Sequence, residues 1–492
     1  MSNPLVIEVN TRCWLTDLSR TLGHRVTLDD VPDDELAGWQ DAGFTHVWLM
    51  GVWETGLASR TEAWGSPALA DECHRLLPDL VPDDFAGSPY AIARYQVAVG
   101  LGGNDALARF RKRLHRHEIR LILDFVPNHI GLDHAWVTEH PDWLVHARRR
   151  QPGTFRQNTR DGARWIAHGR DPFFFPWADT VQLDFRAPGL RAASIDVLRS
   201  VAQRCDGLRC DMAMLVLNDV FARTWEAFPA EGPAPQTEFW ADALTAVRSQ
   251  QPGFLMLAEA YWGLEERLLN LGFDFTYDKG LYDALATHAP DRVATHLAEQ
   301  SDATLLRSAH FLENHDEPRA ASRWAAAEHR AAALLIMGLP GLRLLHEGQL
   351  TGARVRVPVH LRRRPVESPD PVITAIYQHL LGALNGSAVG CGEGRRLEAR
   401  AAWDGNPTHR NFVLVLWRND RGEFDLVVVN LAPYRSQCFA PLAIPRLDRQ
   451  DWLLTDLLGD QRHRRSGPDL AKRGLYLDVA GHAAQLFHAR RL

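Results

Sequence analysis

The sequence predicts an α/β protein built on a (β/α)8 TIM barrel, with a domain inserted after the third strand and an antiparallel β domain at the C-terminal end. Three observations predict it. Short, continuous apolar runs alternate with longer amphipathic stretches, as parallel strands covered by helices require. Eight such runs occur before residue 350, which favours a closed barrel over an open sheet. From residue 387 onward the alternation stops, and strand patterns follow one another without helices.

The eight runs are LVIEVN (5–10), HVWLMGV (46–52), RLILDFV (120–126), GLRCDM (207–212), FLMLAEA (254–260), FDFTY (273–277), AHFLEN (309–314) and LRLLHE (342–347). Between them lie stretches such as 104–118, where Ala106, Leu107, Phe110 and Leu114 recur at helical spacing. Residues 130–185 break the rhythm. They are rich in Trp, Phe, Arg, Pro and Gly and read as an insertion folded over the barrel mouth. Three C-terminal runs, 410–419, 424–432 and 475–489, read as strands of a small β domain. The expected domains are therefore a barrel of 1–129 and 186–386, an insert of 130–185 and a β domain of 387–492.

Composition narrows the function. A hydrophobic fraction of 46% with 24% charged residues is that of an ordinary soluble chain able to bury a large core. A net charge of -6 argues against a nucleic-acid surface, which needs a basic excess. No run is long and apolar enough to suggest a membrane span. The six cysteines are scattered without metal-binding spacing, and the first residues lack the pattern of a secretory signal. A cytoplasmic protein with free thiols is expected. Nothing in the sequence speaks to oligomeric state.

In such a barrel the reactive side chains sit at the C-terminal ends of the strands. The third strand delivers Asp124, Asn128 and His129, and the fourth Arg209 and Asp211. The fifth delivers Glu259, Tyr261 and Trp262, and the seventh Glu313, His315, Asp316 and Arg319. Any one of these could be structural: a loop cap, a structural ion pair or a satisfied buried histidine. Acids, histidines and an arginine converging from several strands are harder to explain that way. The pattern suits glycosidic cleavage, in which one carboxylate attacks and a second carboxyl serves as acid and then base. Arg209, two residues before Asp211, lies on the same side of its strand and can hold that carboxylate ionised.

At these residues the chain resembles the α-amylase superfamily, glycoside hydrolase family 13. The matching motifs are DFVPNH (124–129), GLRCDMA (207–213), LAEAYW (257–262) and FLENHDEPR (311–319). GSPYAIARY (87–95), QLDF (182–185) and GLPGLRLLHEGQ (338–349) match further family segments. The resemblance implies Asp211 as nucleophile, Glu259 as acid/base and Asp316 as the third, transition-state-stabilising carboxylate. It implies Arg209 as the orienter of Asp211, and His129 and His315 as contacts to the sugar hydroxyls. Tyr90 would stack on the sugar, Asp124 would brace the site, and Arg319 is carried with the substrate-binding set. The insert would be domain B. No cofactor is required for this chemistry. Asn128 matches a calcium ligand of many members, and the residues alone leave open whether it binds calcium or serves as a structural hydrogen-bonder.

The chain departs from the family in places. Met212-Ala213-Met214 follows the nucleophile where many α-amylases carry Lys-His to grip the far side of starch. Arg94-Tyr95 stands where Asp-Tyr is frequent. Trp53, Trp177 and Trp262 lie near strand ends or in the insert, where sugars stack or a core packs. Arg354, Arg356, Arg362, Arg363 and Arg364 follow the eighth strand, as a solvated basic loop or as a site for an anionic substrate. The leading expectation is a retaining hydrolase of short α-glucans or related α-glucosides. A transglycosidase or phosphorylase shares its first step, and a catalytically silent amylase-like interaction protein is the reading from another class.

Overall fold

The structure is a computed structural model describing residues 3–159, 162–230 and 232–492. Its centre is a closed barrel of parallel strands: β1 (Leu5–Asn10), β2 (His46–Met50), β3 (Arg120–Phe125), β4 (Gly207–Cys210), β5 (Leu255–Ala258), β6 (Phe275–Tyr277), β7 (Ser308–His310) and β8 (Leu342–His346). Each strand pairs with the next in sequence, and β1 closes the ring against β8 through Leu5↔Arg343 to Glu8↔His346. All eight apolar runs become barrel strands, because strands covered on both faces must be apolar throughout.

The strands end earlier than the sequence suggests, and the reason is chemical. The seventh stops at His310, ahead of Glu313, Asn314 and His315. The Asn314 side chain accepts from the backbone N–H groups of Asp316 and Glu317, so a turn replaces the ladder. The fourth stops at Cys210, and Met212 takes a left-handed backbone with φ 41. The reactive acids thus stand just beyond the strands rather than within them.

Helices wrap the barrel. One, Gly103–Arg116, buries Ala106, Leu107, Phe110 and Leu114 on one face and carries its basic residues on the other. After β3 the chain leaves the barrel, and antiparallel pairing of His129–Gly131 with Thr180–Gln182 forms the neck of the insert. Beyond the neck, Thr154–Thr159, Gly162–Ala167 and His146–Ala147 make a three-stranded sheet.

A second excursion was not expected. Between β2 and β3, Trp53–Thr55 pairs with Ile92–Val97, and the helices Leu57–Trp64 and Pro67–Leu76 follow the first of these strands. Its own small core of Ala63, Cys73, Leu77 and Phe85 packs on Leu361 from the loop after β8. The helical spacing here looks like an ordinary barrel helix in sequence, which conceals the excursion.

The C-terminal part has a six-stranded antiparallel sheet facing a three-stranded one. The run 475–489 divides into Leu475–Val479 and Ala484–Arg491, which belong to different sheets. His482 turns the corner at φ 50. At Gly481 an added Cβ would fall 2.3 Å from the Pro433 carbonyl carbon, so only glycine allows that close approach. Strands Phe412–Arg418 and Phe424–Asn430 bury one face against the barrel, where Trp417 Nε1 donates to the Gly338 carbonyl. No helix among the described residues is long and apolar enough to cross a membrane.

Candidate active site

Register brings the acids together. β4 and β5 pair with Arg209 opposite Leu257 and Cys210 opposite Ala258. The next positions, Asp211 and Glu259, therefore stand side by side at the rim. The backbone keeps the alignment beyond the strands, since Glu259 N–H donates to the Cys210 carbonyl and Ala213 N–H to that of Glu259. On the other side of β4, Arg209 lies opposite Asp124 of β3.

Arg209 is fully buried and spans both acids. Its Nη1 donates to Asp211 Oδ1 and its Nη2 to Glu259 Oε2, each at 2.7 Å. A guanidinium suits this task, because its planar fork serves two carboxylates at once. The rings of Trp48, Tyr90 and Tyr277 surround it at 5.3 to 5.8 Å. Burial works against its charge, but Glu259, Tyr277, Tyr90 and Asp211 outweigh that and hold it protonated.

Glu259 takes two further donors. Tyr261 Oη donates to Oε1 at 2.6 Å and Met212 N–H to Oε2 at 2.7 Å. The left-handed backbone at Met212 thus has a use: it turns an amide onto Glu259. Asp211 gives Oδ1 to Arg209, and Oδ2 makes no hydrogen bond within the described residues. Burial pushes both carboxyls above their usual range. Arg209 opposes the shift in both, Asp316 adds to it in both, and Asp211 adds to that of Glu259. Two acids so placed resist losing both protons, so they titrate as a pair.

Asp316 differs from both. Its side chain is 52% exposed at the mouth, and Oδ2 lies 3.1 Å from His315 Nε2. Burial in the concave mouth opposes ionisation, but His315 and Arg209 overcome it and hold the carboxyl down to about 2. His315 is buried, and its Nδ1 donates to Glu8 while Nε2 also faces Tyr90 Oη at 2.8 Å. Burial disfavours its charge, yet Asp316 and Glu8 keep it well above the ordinary histidine range. Glu8 is wholly buried within β1, and its Oε2 has no hydrogen-bond partner among the described residues.

The remaining expected residues divide. His129 sits in the neck of the insert with its ring 5.1 Å from that of Trp177, and burial lowers it to about 3, so it is neutral. Tyr90 is half-buried, its ring face on Arg209. Asp124 does not face a substrate. Both oxygens are used internally, by Trp48 Nε1 at 3.0 Å and Gly51 N–H at 2.9 Å, and burial lifts it to about 6. Arg319 is a correction to the substrate-binding set. It is buried, and it donates to Glu313 at 2.6 Å and to the Glu347 carbonyl at 2.8 Å. These contacts brace the loops after β7 and β8 and leave the guanidinium no approach to the mouth.

Sequence reasoning missed Glu8, Trp48, Tyr277 and the Met212 amide. A glutamate inside the apolar run LVIEVN was the available signal for Glu8, since an acid is costly there without a partner. The amide had no signal, because it depends on one backbone angle.

Asn128 is engaged within the protein. Its side-chain oxygen accepts from Gln182 Nε2 at 3.0 Å, and its carbonyl accepts from the same amide at 2.9 Å. Among the described residues no group of three or more His, Cys, Asp or Glu is gathered as for a metal. Asn128 therefore ties β3 to the neck of the insert.

The arginines after β8 are ion-paired rather than a free basic loop. Arg356 pairs with Glu72, Arg362 with Asp83, Arg363 with Asp79 and Asp84, and Arg364 with Asp17 and Glu347. Ala86 N–H donates to the His360 carbonyl at 2.7 Å, and Arg362 N–H to that of Asp84 at 2.9 Å. The loop after β8 is thus clamped to the excursion after β2, four residues from Tyr90.

A closed eight-stranded barrel with acids from several strands at one rim defines a site of the glycoside-active barrel class. The family model for the α-amylase catalytic domain matches residues 40–360. The chain belongs to the α-amylase family. It is 24% identical to the α-amylase MalA of Haloarcula japonica over 291 residues, 57% of this chain and 39% of that protein. It is 30% identical to an α-1,4-glucan:maltose-1-phosphate maltosyltransferase of Burkholderia pseudomallei over 204 residues, 40% of this chain and 15% of that one. The chain thus spans well under two thirds of these relatives. Its fold matches that of a maltogenic α-amylase, AmyB from Thermotoga neapolitana, with a TM-score of 0.69 at 20% identity, covering 100% of this chain and 99% of that one.

Proposed function

We propose that the protein is a retaining α-glycoside hydrolase acting on short α-glucans or related α-glucosides. The observation that carries this reading is the Arg209 guanidinium spanning Asp211 and Glu259, with one Asp211 oxygen left open toward the mouth. Asp211 attacks the anomeric carbon as Glu259 gives its proton to the departing oxygen. A glycosyl ester on Asp211 results. Glu259, now ionised, draws a proton from water, whose oxygen takes the anomeric carbon and frees Asp211. Burial and the neighbouring acids favour a protonated Glu259 at the start. Asp316 and the imidazolium of His315 hold the distorted sugar through its hydroxyls. The carboxylates supply nucleophile, acid and charge, so the steps need no metal or organic cofactor.

Short substrates suit the absence of a Lys-His pair after Asp211, which leaves no cation or imidazole there to grip a longer chain. A transglycosidase is the alternative, favoured by the match to a maltosyltransferase, and it differs only in what captures the ester. The six free cysteines, five of them buried, suit a cytoplasmic setting. Proton NMR of the first-formed product tests the reading. The α anomer is expected, and the β anomer would overturn it.

A further inference from the structure

A cavity of about 1230 Å3 lies between helix Thr11–Leu22, the paired strands of the excursion after β2 and the first residues of the insert. None of Asp211, Glu259, His315 and Asp316 lines it. Its walls carry both signs of charge, and the partners divide unevenly. Each acid that lines it is engaged. Glu54 accepts from Arg94 Nε at 2.8 Å, and Asp83 pairs with Arg362 at 3.4 Å. Asp84 takes Arg363 at 2.7 Å, and Asp133 accepts from the N–H groups of Ala58 and Ser59 at 3.0 and 3.1 Å. Three cations find only neutral acceptors. Arg12 donates to the Gly87 carbonyl at 2.8 Å, Arg25 to that of Gly100 at 3.2 Å and Arg60 to that of Pro82.

Arg12 is half-buried, and among the described residues no carboxylate pairs with it. Its Nη1 rests on Gly87, and its Nη2 reaches Thr55 Oγ1 only at 3.5 Å. Burial, and then the nearby Arg362, lower its guanidinium to about 10. A cation drawn out of water beside a second cation, with a carbonyl for partner, carries a cost that an anion would offset. Arg60 is brought to the same place by the backbone. At Gly87, with φ 81, an added Cβ would stand 3.2 Å from Arg60 Cα and Cβ. Arg60 thus packs directly on the residue whose carbonyl holds Arg12.

We propose that this cavity binds a phosphate group, carried by a small sugar phosphate or free in solution, between Arg12, Arg60 and Arg362. The terminal oxygens of a phosphate match the planar forks of guanidinium groups. Arg12 keeps Nη1 on Gly87 and gives Nη2 to the anion, and Arg362 shares itself between the anion and Asp83. The cavity is large enough for a hexose beside the phosphate, and the acids of its wall keep spare lone pairs for the sugar hydroxyls. The site also touches the catalytic mouth from outside. Gly87 lies three residues before Tyr90, whose Oη meets His315 Nε2 at 2.8 Å. An anion on Arg12 and Arg60 stiffens the turn that carries Tyr90 and so lowers KM. This last consequence rests on the hydrolase reading, and the site itself does not.

Isothermal titration calorimetry with glucose 6-phosphate, inorganic phosphate and glucose tests the site. The protein is Asp211→Asn with maltose in excess, so that the catalytic mouth is filled. Both phosphates are expected to bind, and glucose is not. Tighter binding of glucose 6-phosphate identifies the sugar phosphate as ligand, and equal binding identifies free phosphate. Arg12→Gln, whose amide can still donate to Gly87, and Arg60→Gln are each expected to weaken binding roughly tenfold, in line with one lost charge-assisted hydrogen bond. Circular dichroism checks that both variants fold. Unchanged affinity in both variants, or no binding of either phosphate up to about 10 mM, overturns the site. In the wild type, KM for maltose is expected to fall about fivefold when glucose 6-phosphate is present. An unmoved KM with binding intact overturns the link to Tyr90. A wild type inactive on maltose, with phosphate still bound through Arg12, overturns the hydrolase reading and leaves the site standing.

Discussion

On one flank of the mouth, His315 stands between Glu8 and Asp316 with its Nε2 also facing Tyr90, and the loop after β8 is ion-paired to the excursion after β2. On the other, Phe173 and Trp262 meet edge to face with their rings exposed, Trp262 standing three residues beyond Glu259 in the chain. The first flank is charged and hydrogen-bonded. The second is apolar and open. A glycosidase must hold one sugar precisely and release whatever was attached to it. A polar network fixes hydroxyls in place, whereas aromatic faces accept varied rings without directional bonds. Under the proposed reading, the hydrogen-bonded flank suits recognition of the glycone.

The sharpest break removes the chemistry between the flanks. Asp211→Asn keeps a hydrogen bond to Arg209 and so is expected to fold normally, while kcat falls by about 10⁴-fold or more. Glu259→Gln and Asp316→Asn are expected to lose several orders of magnitude. Steady-state kinetics with near-UV circular dichroism checks this, and near-wild-type turnover in Asp211→Asn would falsify the assignment. Next in size is Arg209→Lys. A lysine keeps the charge but cannot span two carboxylates, so both acids lose their aim. A drop in kcat of about 100-fold is expected from misplacement alone, with a lower Tm because a buried ion pair is broken.

A smaller effect isolates the closed flank. Glu8 touches His315 and not the substrate, so it is a positioning residue. The folded-state shift of His315 is upward, so its charge adds stability below the ordinary histidine range, and that stability is lost as pH rises through the raised value. Glu8→Gln removes one of the two acids behind the shift. The alkaline limb of the kcat/KM profile is expected to move to lower pH, with roughly tenfold lower activity on that limb for each unit moved. Loss of activity with an unmoved limb would show that Glu8 serves packing alone.

Much of this was legible in the sequence. The apolar runs named every barrel strand, because a strand buried on both faces has few other compositions open to it. Asp211, Glu259 and Asp316 were found as charges at the ends of such strands, and the structure gathers them at one rim. What escaped was whatever depended on two distant segments meeting. Arg319 looked like a site residue until Glu313 and the Glu347 carbonyl claimed it. The arginines after β8 looked free because their acids, at 17, 72, 79, 83 and 84, lie far away in sequence. Trp53, Trp177 and Trp262 could not be told apart, yet the first is buried and the last is exposed.

The smallest expected effect tests whether the clamp shuts the first flank. Arg363 joins the loop after β8 to Asp79 and Asp84 of the excursion after β2, and it is the clamp residue that reaches two acids of that excursion. Arg363→Ala leaves the backbone pairing of Ala86 with His360 in place, so the wall is expected to loosen rather than fall away. A partly exposed ion pair contributes up to about 1 kcal/mol, which limits the population of an opened wall to about a fivefold gain. The quantity to measure is kcat/KM on amylose per chain end, relative to that on maltose. In the wild type maltose is expected to be favoured, because no Lys-His pair follows Asp211 to grip a longer chain. In the variant the ratio is expected to move toward amylose by roughly two- to fivefold. If wild type prefers amylose and viscosity drops early through internal cuts, the flank is open, and the short-substrate reading fails with the clamp intact. If the wild type favours maltose and the variant does not move, the wall is held by the small core around Phe85 and Leu361, and the arginines only decorate it.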